Sequence, residues 1–329
     1  MDDRLNLFYE EPDPDRWFLG DRYPRRIARR LLRRSPFIGG QRLVFLNLTR
    51  GLDRLGRPYR VNDYAYARKH PEETACIIGK PIVLDQVRWR NPIIFGTAVF
   101  SHPCDDPKLL ERLPVKKVLV PGEWMRRMFE PHFGSAVEAW AVGIDTGRWA
   151  PSRDAGKDVD VLFYDKVLWW HDAFEKSMLE PLRSELRARG VSFRELRYGY
   201  YREEDFRSLL ARSKAMLFIC EHESQGIAYQ QALSSGVPIL AWDRGGYWLD
   251  PSYWPHKAQF SPVSSVPYWD GRCGLKFEGL ADFGGRLDEF LVEARAGRFD
   301  PRAYIVENLT LEACARRYIG LVESAWQRS

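Results

Sequence analysis

EHESQGIAYQQALSSGVPIL, residues 221–240, directly follows the apolar run AMLFIC. A short apolar run of this kind, bounded by polar residues, is typical of a buried strand. Gly226 stands where that strand would turn into a helix, and Gly236 stands where a helix C-terminus favours glycine. The stretch therefore predicts a buried strand, a tight turn and a helix over Ile227 to Ser235.

The same order of strand and helix continues along the chain. Apolar runs predict strands at RLNLFYE, PYRVN, ACIIG, NPIIFG, KKVLVPG and VEAWAVG in the first half, and at DVDVLFYD, SFRELRYG, AMLFIC, VPILAWD and CGLKFE in the second. Helical patterns lie between several of these runs. Alternating strands and helices with near-continuous apolar strands favour parallel sheets that are covered by helices on both faces.

The chain of 329 residues is long enough for two such units. A polar stretch rich in Gly, Pro and Asp, residues 143–160, is the best candidate for a linker. We therefore predict an α/β protein with two Rossmann-like, doubly wound domains that face a cleft. Residues 1–153 are expected to form the first domain, 154–308 the second, and 309–329 a helix that packs back toward the first.

Composition excludes several classes of protein. Hydrophobic residues make up 45% and charged residues 29% of the chain, which is typical of a globular protein. No apolar run approaches the roughly 18 residues needed to span a bilayer, and the N-terminus lacks the charged-then-apolar order of a signal peptide. The five cysteines form no Cys-x-x-Cys pair, so we expect reduced thiols, neither a disulfide framework nor a zinc site, and a cytoplasmic location.

Positive charge is concentrated in the first half of the chain. Residues 1–150 hold 26 Lys and Arg against 19 Asp and Glu, whereas the rest holds 24 against 26. Seven arginines lie within Arg22–Arg34, between apolar residues at helical spacing. Such a basic amphipathic helix can lie on the anionic inner face of a membrane or be a solvated surface helix, and the sequence leaves both open. No recognised motif supports nucleic-acid binding.

The predicted helix at Ile227 begins at the end of a strand, so its free N-terminal amides form a site that favours phosphate. Glu223 lies in the loop before this helix, where it can accept hydrogen bonds from hydroxyl groups or cap the helix. Gln231 lies further along, on the helix face that it shares with Ile227. A phosphate site between two side chains that bind hydroxyl groups suits a nucleotide sugar.

The segment ESQGIAYQQALSSGVPIL resembles the donor-binding signature of retaining glycosyltransferases with the GT-B fold, the family-4-like group. That signature has a Glu, seven intervening residues, a second Glu, and a run of small residues that ends in Gly-x-Pro. Glu223, Gly226 and Gly236–Pro238 match it. In the family the first Glu contacts the donor sugar and the second binds the ribose hydroxyls. Gln231 departs from the family at the second Glu.

The effect of Gln231 on the free energy of donor binding can be estimated. A hydrogen bond to a charged partner contributes about 1.5–3 kcal/mol to stability, and a neutral one about 0.5–1.5 kcal/mol. An amide in place of the carboxylate therefore costs roughly 1 kcal/mol, or about fivefold to tenfold in donor affinity. We expect weaker donor binding rather than a different reaction.

Other segments resemble the family in the order in which they occur along the chain. SPFIGGQRLVFL resembles the first glycine loop and helix, with Gly39 and Gly40 in the loop. GTAVFSHP places His102 after a strand, like the family's His that approaches the donor sugar, and a purely structural histidine is an equal alternative. AVGIDTGRWAP, which begins at Ala141, resembles the run into the interdomain linker, and AWDRGGYWLDP resembles the second glycine turn.

The resemblance also implies basic residues that hold the donor diphosphate, usually an Arg and a Lys five positions apart. The residues after the first strand of the second domain offer Lys166 and Lys176, so this spacing is not met. Lys166 is the preferred candidate because it directly follows the strand, and Arg244 is the reserve. The remaining predicted donor-binding residues are Ser224, Gln225, Gly226 and Ile227.

Two Asp-x-Asp patterns, Asp13–Asp15 and Asp158–Asp160, mimic the metal motif of a different glycosyltransferase fold. No cluster of His, Cys and carboxylates accompanies either pattern, so we predict no metal and no cofactor, with the nucleoside-diphosphate sugar as a substrate. The chain also lacks a P-loop, a GxSxG and a GxGxxG motif, which argues against kinase-like, hydrolase-fold and dinucleotide-binding proteins.

The resemblance implies a glycosyltransferase that moves a sugar from a nucleoside-diphosphate sugar to a glycan, lipid-linked or small-molecule acceptor, with retention of configuration. Glu223 and His102 are then the predicted catalytic residues. Two alternatives stay open: a catalytically silent protein that binds nucleotide sugars, and an epimerase or phosphorylase on the same fold. The arginine-rich segment favours an acceptor from a membrane-associated polysaccharide pathway.

Overall fold

This computed structural model describes residues 3–11, Pro24, and residues 39–97, 99–152 and 156–325. The arginines of Arg22–Arg34 and the Asp13–Asp15 pattern lie outside the described residues, so the predicted membrane contact stays a prediction. The described part of the chain forms two separate β-sheets, each with helices packed against it.

The first sheet has six strands in the order β2-β1-β3-β4-β5-β6 within the described residues, and all neighbouring pairs are parallel. Strands β1, β3 and β4 are buried along their whole length, as expected when helices cover both faces of a parallel sheet. The strands are β1 Leu5–Phe8, β2 Tyr59–Val61, β3 Ala75–Ile77, β4 Ile93–Phe95, β5 Val115–Val120 and β6 Val137–Ala139.

The second sheet has five parallel strands in the order β11-β10-β9-β7-β8. They are β7 Val159–Lys166, β8 Phe193–Arg197, β9 Ser213–Cys220, β10 Ile239–Trp242 and β11 Gly274–Phe277. Strand β7 pairs with β8 on one side and β9 on the other, so the connections diverge there. Ligands of doubly wound proteins bind at such a switch point, beyond the carboxyl ends of the strands. The predicted α/β fold with two doubly wound, Rossmann-like domains is confirmed.

Helices fill the connections between most of the strands. A π-helical turn, Glu175–Leu179, joins α5 to α6. No described helix is both long enough and apolar enough to cross a membrane. The described helices are α1 Gly40–Arg54, α2 Tyr64–Lys69, α3 Leu109–Arg112, α4 Glu123–Phe133, α5 His171–Phe174, α6 Glu180–Ala188, α7 Glu203–Arg212, α8 Ile227–Ser234, α9 Leu280–Arg295, α10 Pro301–Asn308 and α11 Leu311–Ser324.

The last helix, α11, packs against α1 of the first domain. Thr310 caps its start with a side-chain hydrogen bond. Tyr318 is fully buried, and its ring lies edge-on to that of Trp140 with 4.9 Å between centroids. Gly51 of α1 leaves room for this approach, because a Cβ at that position would lie 2.5 Å from the carbonyl oxygen of Leu311. The helix thus completes the hydrophobic core of the first domain although it follows the second domain along the chain.

The linker between the two sheets is anchored rather than loose. Arg302 of α10 donates hydrogen bonds to the carbonyl oxygens of Thr146 at 3.2 Å, Trp149 at 3.3 Å and Ser234 at 2.7 Å. The hydroxyl of Ser234, in α8, also donates to the Trp149 carbonyl oxygen at 2.8 Å. One guanidinium therefore ties the linker to the two helices of the second domain that lie beside it.

The connection from β10 to β11 reaches across to the first domain, and we call its residues 244–270 the interdomain strap. Trp248 is 4% exposed and lies in the first domain's hydrophobic core, together with Val263. Its ring stacks on that of His102, with 5.9 Å between centroids and 12° between planes. The Tyr253 hydroxyl donates a hydrogen bond to Asp105 at 2.7 Å. The two domains are therefore joined by the linker, α11 and this strap.

Candidate active site

A cleft of about 920 Å³ lies between the carboxyl ends of the two sheets. This volume is within the range of about 300–1,000 Å³ that is usual for ligand sites. Side chains from the first domain form one wall and side chains from the second domain form the other. The first-domain wall includes Tyr9, Glu11, Gly39, Gly40, Arg42 and Lys80. The second-domain wall includes Lys166, Tyr198, Tyr201, Glu203, Glu223, Ser224, Gln225, Gly226, Ile227 and Gln231.

An ion pair lies in this cleft at the switch point of the second sheet. Lys166 ends β7 and Glu223 follows β9, and the Lys166 Nζ donates a hydrogen bond to Glu223 Oε1. Their side chains are 13% and 8% exposed, and the Nζ lies 4.4 Å from the centre of the Tyr198 ring. Burial acts to lower the pKa of Lys166, but the Glu223 carboxylate raises it and prevails. Lys166 therefore keeps its positive charge inside the cleft.

The loop that carries Glu223 is held from both domains. The backbone N–H of Glu223 donates to the carbonyl oxygen of Ser264 at 2.9 Å. The indole N–H of Trp124, from α4 of the first domain, donates to the Glu223 carbonyl oxygen at 2.8 Å. The Glu221 carboxylate accepts a hydrogen bond from the backbone N–H of Trp169 at 3.1 Å, and burial raises the pKa of Glu221. Glu221 thus fixes the loop after β7 rather than facing a ligand.

The turn into α8 requires glycine at position 226. Gly226 has a φ of +80°, and a Cβ there would lie 1.9 Å from a ring carbon of Tyr229. No described side chain caps the N-terminus of α8, so its first amides are available to a ligand. Ser224 and Ile227 line the cleft on either side of the turn. This is the arrangement that the strand-turn-helix pattern predicts.

Gln225 has a structural task that sequence reasoning missed. Its Oε1 accepts a hydrogen bond from the backbone N–H of Val142 at 3.1 Å, and its Nε2 donates to the Val142 carbonyl oxygen at 3.3 Å. Val142 follows the last strand of the first domain, so these bonds join the two domains. The Nε2 also donates to Gln230 at 3.2 Å. Donor binding by the Gln225 side chain stays a prediction, since its amide already has these partners.

Gln231 faces the cleft from α8 and is 8% exposed. Its side-chain amide forms no hydrogen bond to any described residue, whereas its backbone carbonyl accepts bonds from Ser235. An amide offers both a donor and an acceptor. Gln231 can therefore bind a hydroxyl group of a ligand without giving up an existing side-chain bond.

Gly39 and Gly40 lie at the start of α1, in the facing wall of the cleft. A Cβ built at either position would meet no atom of a described residue within 4 Å. Packing against the described residues therefore does not explain these glycines. A ligand that approaches the backbone closely would explain them, which is the role that the sequence predicts.

His102 is not among the cleft-lining residues. It precedes the short 3₁₀ turn Pro103–Asp105, and its Nδ1 accepts a hydrogen bond from the backbone N–H of Cys104 at 3.1 Å. Burial lowers the pKa of His102, and the charge of His132 acts in the same direction. The geometry shows the structural role that the sequence leaves open, and contact of His102 with a donor sugar stays a prediction.

Arg244, the reserve candidate for the diphosphate, also lies outside the cleft lining. Its guanidinium donates to the carbonyl oxygen of Tyr247 at 2.6 Å. Burial lowers the pKa of Arg244, and the nearby Glu221 opposes this change. Of the two basic residues singled out from the sequence, Lys166 is the one that the structure places in the cleft.

Tyr198 and Tyr201 belong to the site but were missed by sequence reasoning. Both lie in the loop after β8 and line the cleft beside Lys166. The hydroxyls of Tyr201 and Tyr164 hydrogen-bond to each other, and burial raises the pKa of Tyr201 to about 12. Their position at the carboxyl end of a predicted strand could have identified them, because the carboxyl ends of neighbouring parallel strands meet at one edge of a sheet.

The second Asp-x-Asp pattern forms ion pairs at the start of β7. Arg212 donates to Asp158 at 2.8 Å, and Lys214 donates to Asp160 at 2.7 Å. The hydrogen bond from Lys214 is the largest cause that lowers the pKa of Asp160, to about 2. Both carboxylates thus have a basic partner within the chain, and the absence of a metal stays a prediction. A separate group among the described residues that could offer ligands to a metal is His70, Glu72 and Glu73.

Comparison with known proteins finds similarity at the level of structure. No protein-family model matches the sequence, and no curated protein matches it. HepE from Anabaena, solved in complex with UDP, is 11% identical with a TM-score of 0.57 and covers 97% of this chain and 100% of its own. Sucrose-phosphate synthase from Thermosynechococcus elongatus is 11% identical with a TM-score of 0.55, and the match covers 99% of this chain and 100% of the synthase. The lipopolysaccharide outer core galactosyltransferase WaaB, in its apo form, is 10% identical with a TM-score of 0.55, covering 98% and 99%.

The chain has the GT-B fold. Two Rossmann-like domains with a cleft between their strand ends define this fold, and the observed sheets and cleft agree with it. The predicted likeness to GT-B glycosyltransferases is thus confirmed at the level of the fold. Identities of 10–11% show the fold alone, so the activity has to be argued from the residues in the cleft.

Proposed function

We propose that this protein is a glycosyltransferase that takes a sugar from a nucleoside-diphosphate sugar and passes it to an acceptor held by the first domain. The observation that carries the proposal is the buried Lys166–Glu223 pair at the switch point, beside the uncapped start of α8. The GT-B fold supports it, as does the likeness to HepE, which was solved with UDP.

The roles follow from the charges in the cleft. The bond that breaks joins the anomeric carbon of the sugar to the diphosphate, which leaves with the bonding electrons. The Lys166 ammonium and the first amides of α8 would stabilise this developing negative charge. Glu223 would accept hydrogen bonds from sugar hydroxyls once the diphosphate shares Lys166, and Gln231 would bind the ribose.

The first test is a thermal-shift panel of UDP, GDP, ADP and TDP and of their common sugars, without added metal. A ligand at about 100 times its dissociation constant should add about 2.7 kcal/mol to the free energy of unfolding, which gives a visible shift. Lys166→Ala should lose the response. Lys214→Ala, which removes an exposed lysine paired with Asp160 outside the cleft, should keep it. Silence of the folded wild-type protein toward every nucleotide would overturn the proposal.

We also propose that transfer retains the anomeric configuration and needs no metal ion. The likeness of residues 223–238 to the retaining signature supports the first point, and the charge of Lys166 beside α8 supports the second. NMR of the product from a donor of known configuration tests retention, and turnover in the presence of EDTA tests the metal. Inversion, or loss of turnover on chelation, would contradict the respective point.

A cytoplasmic location is part of the proposal. All five cysteines are free thiols, and four of them are buried, which suits a reducing compartment. Membrane contact through Arg22–Arg34 and a lipid-linked or polysaccharide acceptor remain proposals from the sequence. Sedimentation with anionic vesicles at low and high salt tests the contact, since surface attraction weakens as salt screens it.

Gln231 favours a second candidate function, a catalytically silent protein that binds nucleotide sugars. An amide stands there in the position where the resembled family has a ribose-binding carboxylate. Donor binding with neither transfer nor hydrolysis would favour this candidate. Gln231→Glu should raise donor affinity about fivefold to tenfold if the side chain meets the ribose, and recovery of turnover in that variant would identify Gln231 as the cause of the silence.

A further inference from the structure

The first-domain wall of the cleft carries two cations that form no ion pair within the described part of the chain. Arg42 and Lys80 both line the cleft, and neither forms an ion pair with a described residue. In the facing wall, Lys166 is paired with Glu223. Arg148 of the linker also lines the cleft and is paired with Glu203 of the second domain at 2.6 Å. The second-domain wall is thus partly neutralised by its own carboxylates, whereas the first-domain wall leaves two positive charges exposed to the cleft.

The segments that carry these two cations both pack against the ring of Tyr9. Tyr9 stacks on Phe45 with 4.7 Å between centroids and lies over Gly79, where a Cβ would come within 2.6 Å of the ring. Arg42 precedes Phe45 by about one helical turn, so both residues lie on the same side of α1. Lys80 directly follows Gly79 and is half-buried. The packing of Tyr9 therefore fixes the two backbone segments from which the cations project.

Among the described residues, this wall also carries one carboxylate, that of Glu11. Glu11 also lines the cleft, and its carboxylate accepts a hydrogen bond from the Tyr9 hydroxyl at 2.6 Å. The described residues of this wall therefore carry two cations and one anion. Charges of one sign that line a cleft focus the field and raise the local concentration of ligands of opposite charge.

We infer that Arg42 and Lys80 bind an anionic group of the acceptor, a phosphate or carboxylate carried by an acceptor sugar. The inference rests on the proposed transferase function, because it names the acceptor class of that same cleft. The donor diphosphate already has Lys166 and the start of α8 in the second domain. A separate pair of cations in the first domain is therefore available to orient a second anionic substrate across the cleft.

Isothermal titration of the UDP-saturated protein with glucose 6-phosphate, glucuronate and glucose tests this inference. The wild-type protein should bind at least one of the two anionic sugars at least tenfold more tightly than glucose. The double variant Arg42→Ala/Lys80→Ala should lose that preference. The double variant Lys69→Ala/Arg90→Ala removes the same charge from exposed positions outside the cleft lining, and it should keep the preference.

The outcomes separate this inference from the proposed function. If UDP binds but the wild-type protein does not distinguish glucose from either anionic sugar, the inference is wrong and the transferase proposal stands. If the Arg42→Ala/Lys80→Ala variant loses UDP affinity as strongly as affinity for the anionic sugar, the cations serve the donor diphosphate and the inference is also wrong. If UDP does not bind, the proposed function fails. The sugars are then titrated into the protein alone, where a preference for anions supports the subsite and its absence overturns it.

Discussion

Glu223 and Lys166 neutralise each other in the cleft, and this decides what a substitution at either position does. Removal of one partner of a buried ion pair leaves an uncompensated charge and costs about 3–5 kcal/mol of stability. A loss of activity could then reflect unfolding rather than chemistry. Each activity measurement on this pair therefore needs a measurement of the free energy of unfolding beside it.

Glu223→Ala is expected to lower kcat/KM for sugar transfer at least tenfold, because the donor sugar loses its hydrogen-bond acceptor. Glu223→Gln keeps the side-chain volume and tests whether the charge itself matters. Steady-state kinetics with the best donor from the nucleotide panel measures the effect, and circular dichroism verifies the fold. Glu289→Ala, at an exposed position of α9, is the control. An unchanged rate for Glu223→Ala would remove Glu223 from the site.

Gly226→Ala is expected to destabilise the protein by about 2 kcal/mol or more, since a left-handed backbone and a clash with Tyr229 both oppose the added methyl group. Gly285→Ala lies inside α9 where a Cβ would meet nothing within 4 Å. It should instead stabilise the protein by about 0.5–1 kcal/mol. Urea unfolding of both variants measures the difference, and equal effects would contradict the strained turn.

Because His222 is buried, we expect the free energy of unfolding to decrease on mild acidification. The Trp248 indole N–H donates to His222 Nε2 at 3.0 Å, and burial lowers the pKa of His222 to about 3, with Arg244 and Lys166 acting in the same direction. The unfolded chain protonates this ring near pH 6.5. Between these values the unfolded state binds a proton that the folded state does not, so the free energy of unfolding falls as pH falls.

The size of this effect is at most about 1.4 kcal/mol per pH unit below pH 6.5. His222→Gln retains an acceptor for the Trp248 indole but does not titrate there. Urea unfolding at about pH 6.5 and about pH 5.5 should therefore show a larger loss for the wild-type protein than for the variant. Equal losses would show that His222 is protonated in the folded state as readily as in the unfolded one.

At the scale of elements, α11 matters more to the first domain than to the second, which it follows along the chain. Tyr318 is fully buried against Trp140, and the Trp140 indole N–H donates to the carbonyl oxygen of Cys314 at 2.9 Å. Tyr318→Ala should lower the free energy of unfolding by about 3–5 kcal/mol. Tyr200→Ala, at a position that is 77% exposed, should change it by about 0.5 kcal/mol or less. Chemical unfolding measures both, and similar values would show that α11 contributes little to the core.

At the scale of the whole molecule, three connections restrain the two domains. The linker is held by Arg302, α11 completes the core of the first domain, and the interdomain strap inserts Trp248 into that same core. Gln225 adds hydrogen bonds to the backbone of Val142 beside the cleft. Large rotation of one domain against the other would break buried contacts at several places at once.

We therefore expect donor binding to proceed without a large domain closure. Small-angle X-ray scattering should give the same radius of gyration with and without UDP. Hydrogen exchange should show strap amides such as that of Trp248, which donates to the Phe260 carbonyl oxygen at 2.8 Å, to be as protected as those of the core strands. A clear decrease in the radius of gyration on UDP binding would mean that the interdomain strap does not prevent domain closure.

Features that depend only on neighbouring residues in the sequence were predicted well. Gly226, Gly236 and the strand before them follow from backbone sterics and a short apolar run, which depend on neighbours in sequence. The sequence also singled out Lys166, since a strand-terminal position in a parallel sheet is a property of the local pattern.

Contacts between distant segments were not predictable from one sequence. Glu223 and Lys166 lie 57 residues apart, and no local pattern pairs them. The motif predicts that Gln225 binds the donor, yet its side chain hydrogen-bonds to the backbone of Val142, 83 residues away. His102 likewise stacks on a tryptophan of the interdomain strap. The Lys166–Glu223 contact arises when β7 and β9 pair in the second sheet. The contacts of Gln225 and His102 arise only when the two domains pack together.

By itself, the sequence determined the alternation of strands and helices, the tight turn before α8 and the two-domain plan. These features depend on burial patterns and backbone sterics that act within a few residues. The tertiary structure alone decided which charges meet in the cleft, that the strap and α11 complete the first domain, and that Arg42 and Lys80 form no ion pair with a described residue. Those outcomes depend on packing between segments that lie far apart in the chain, where the carboxyl ends of parallel strands converge.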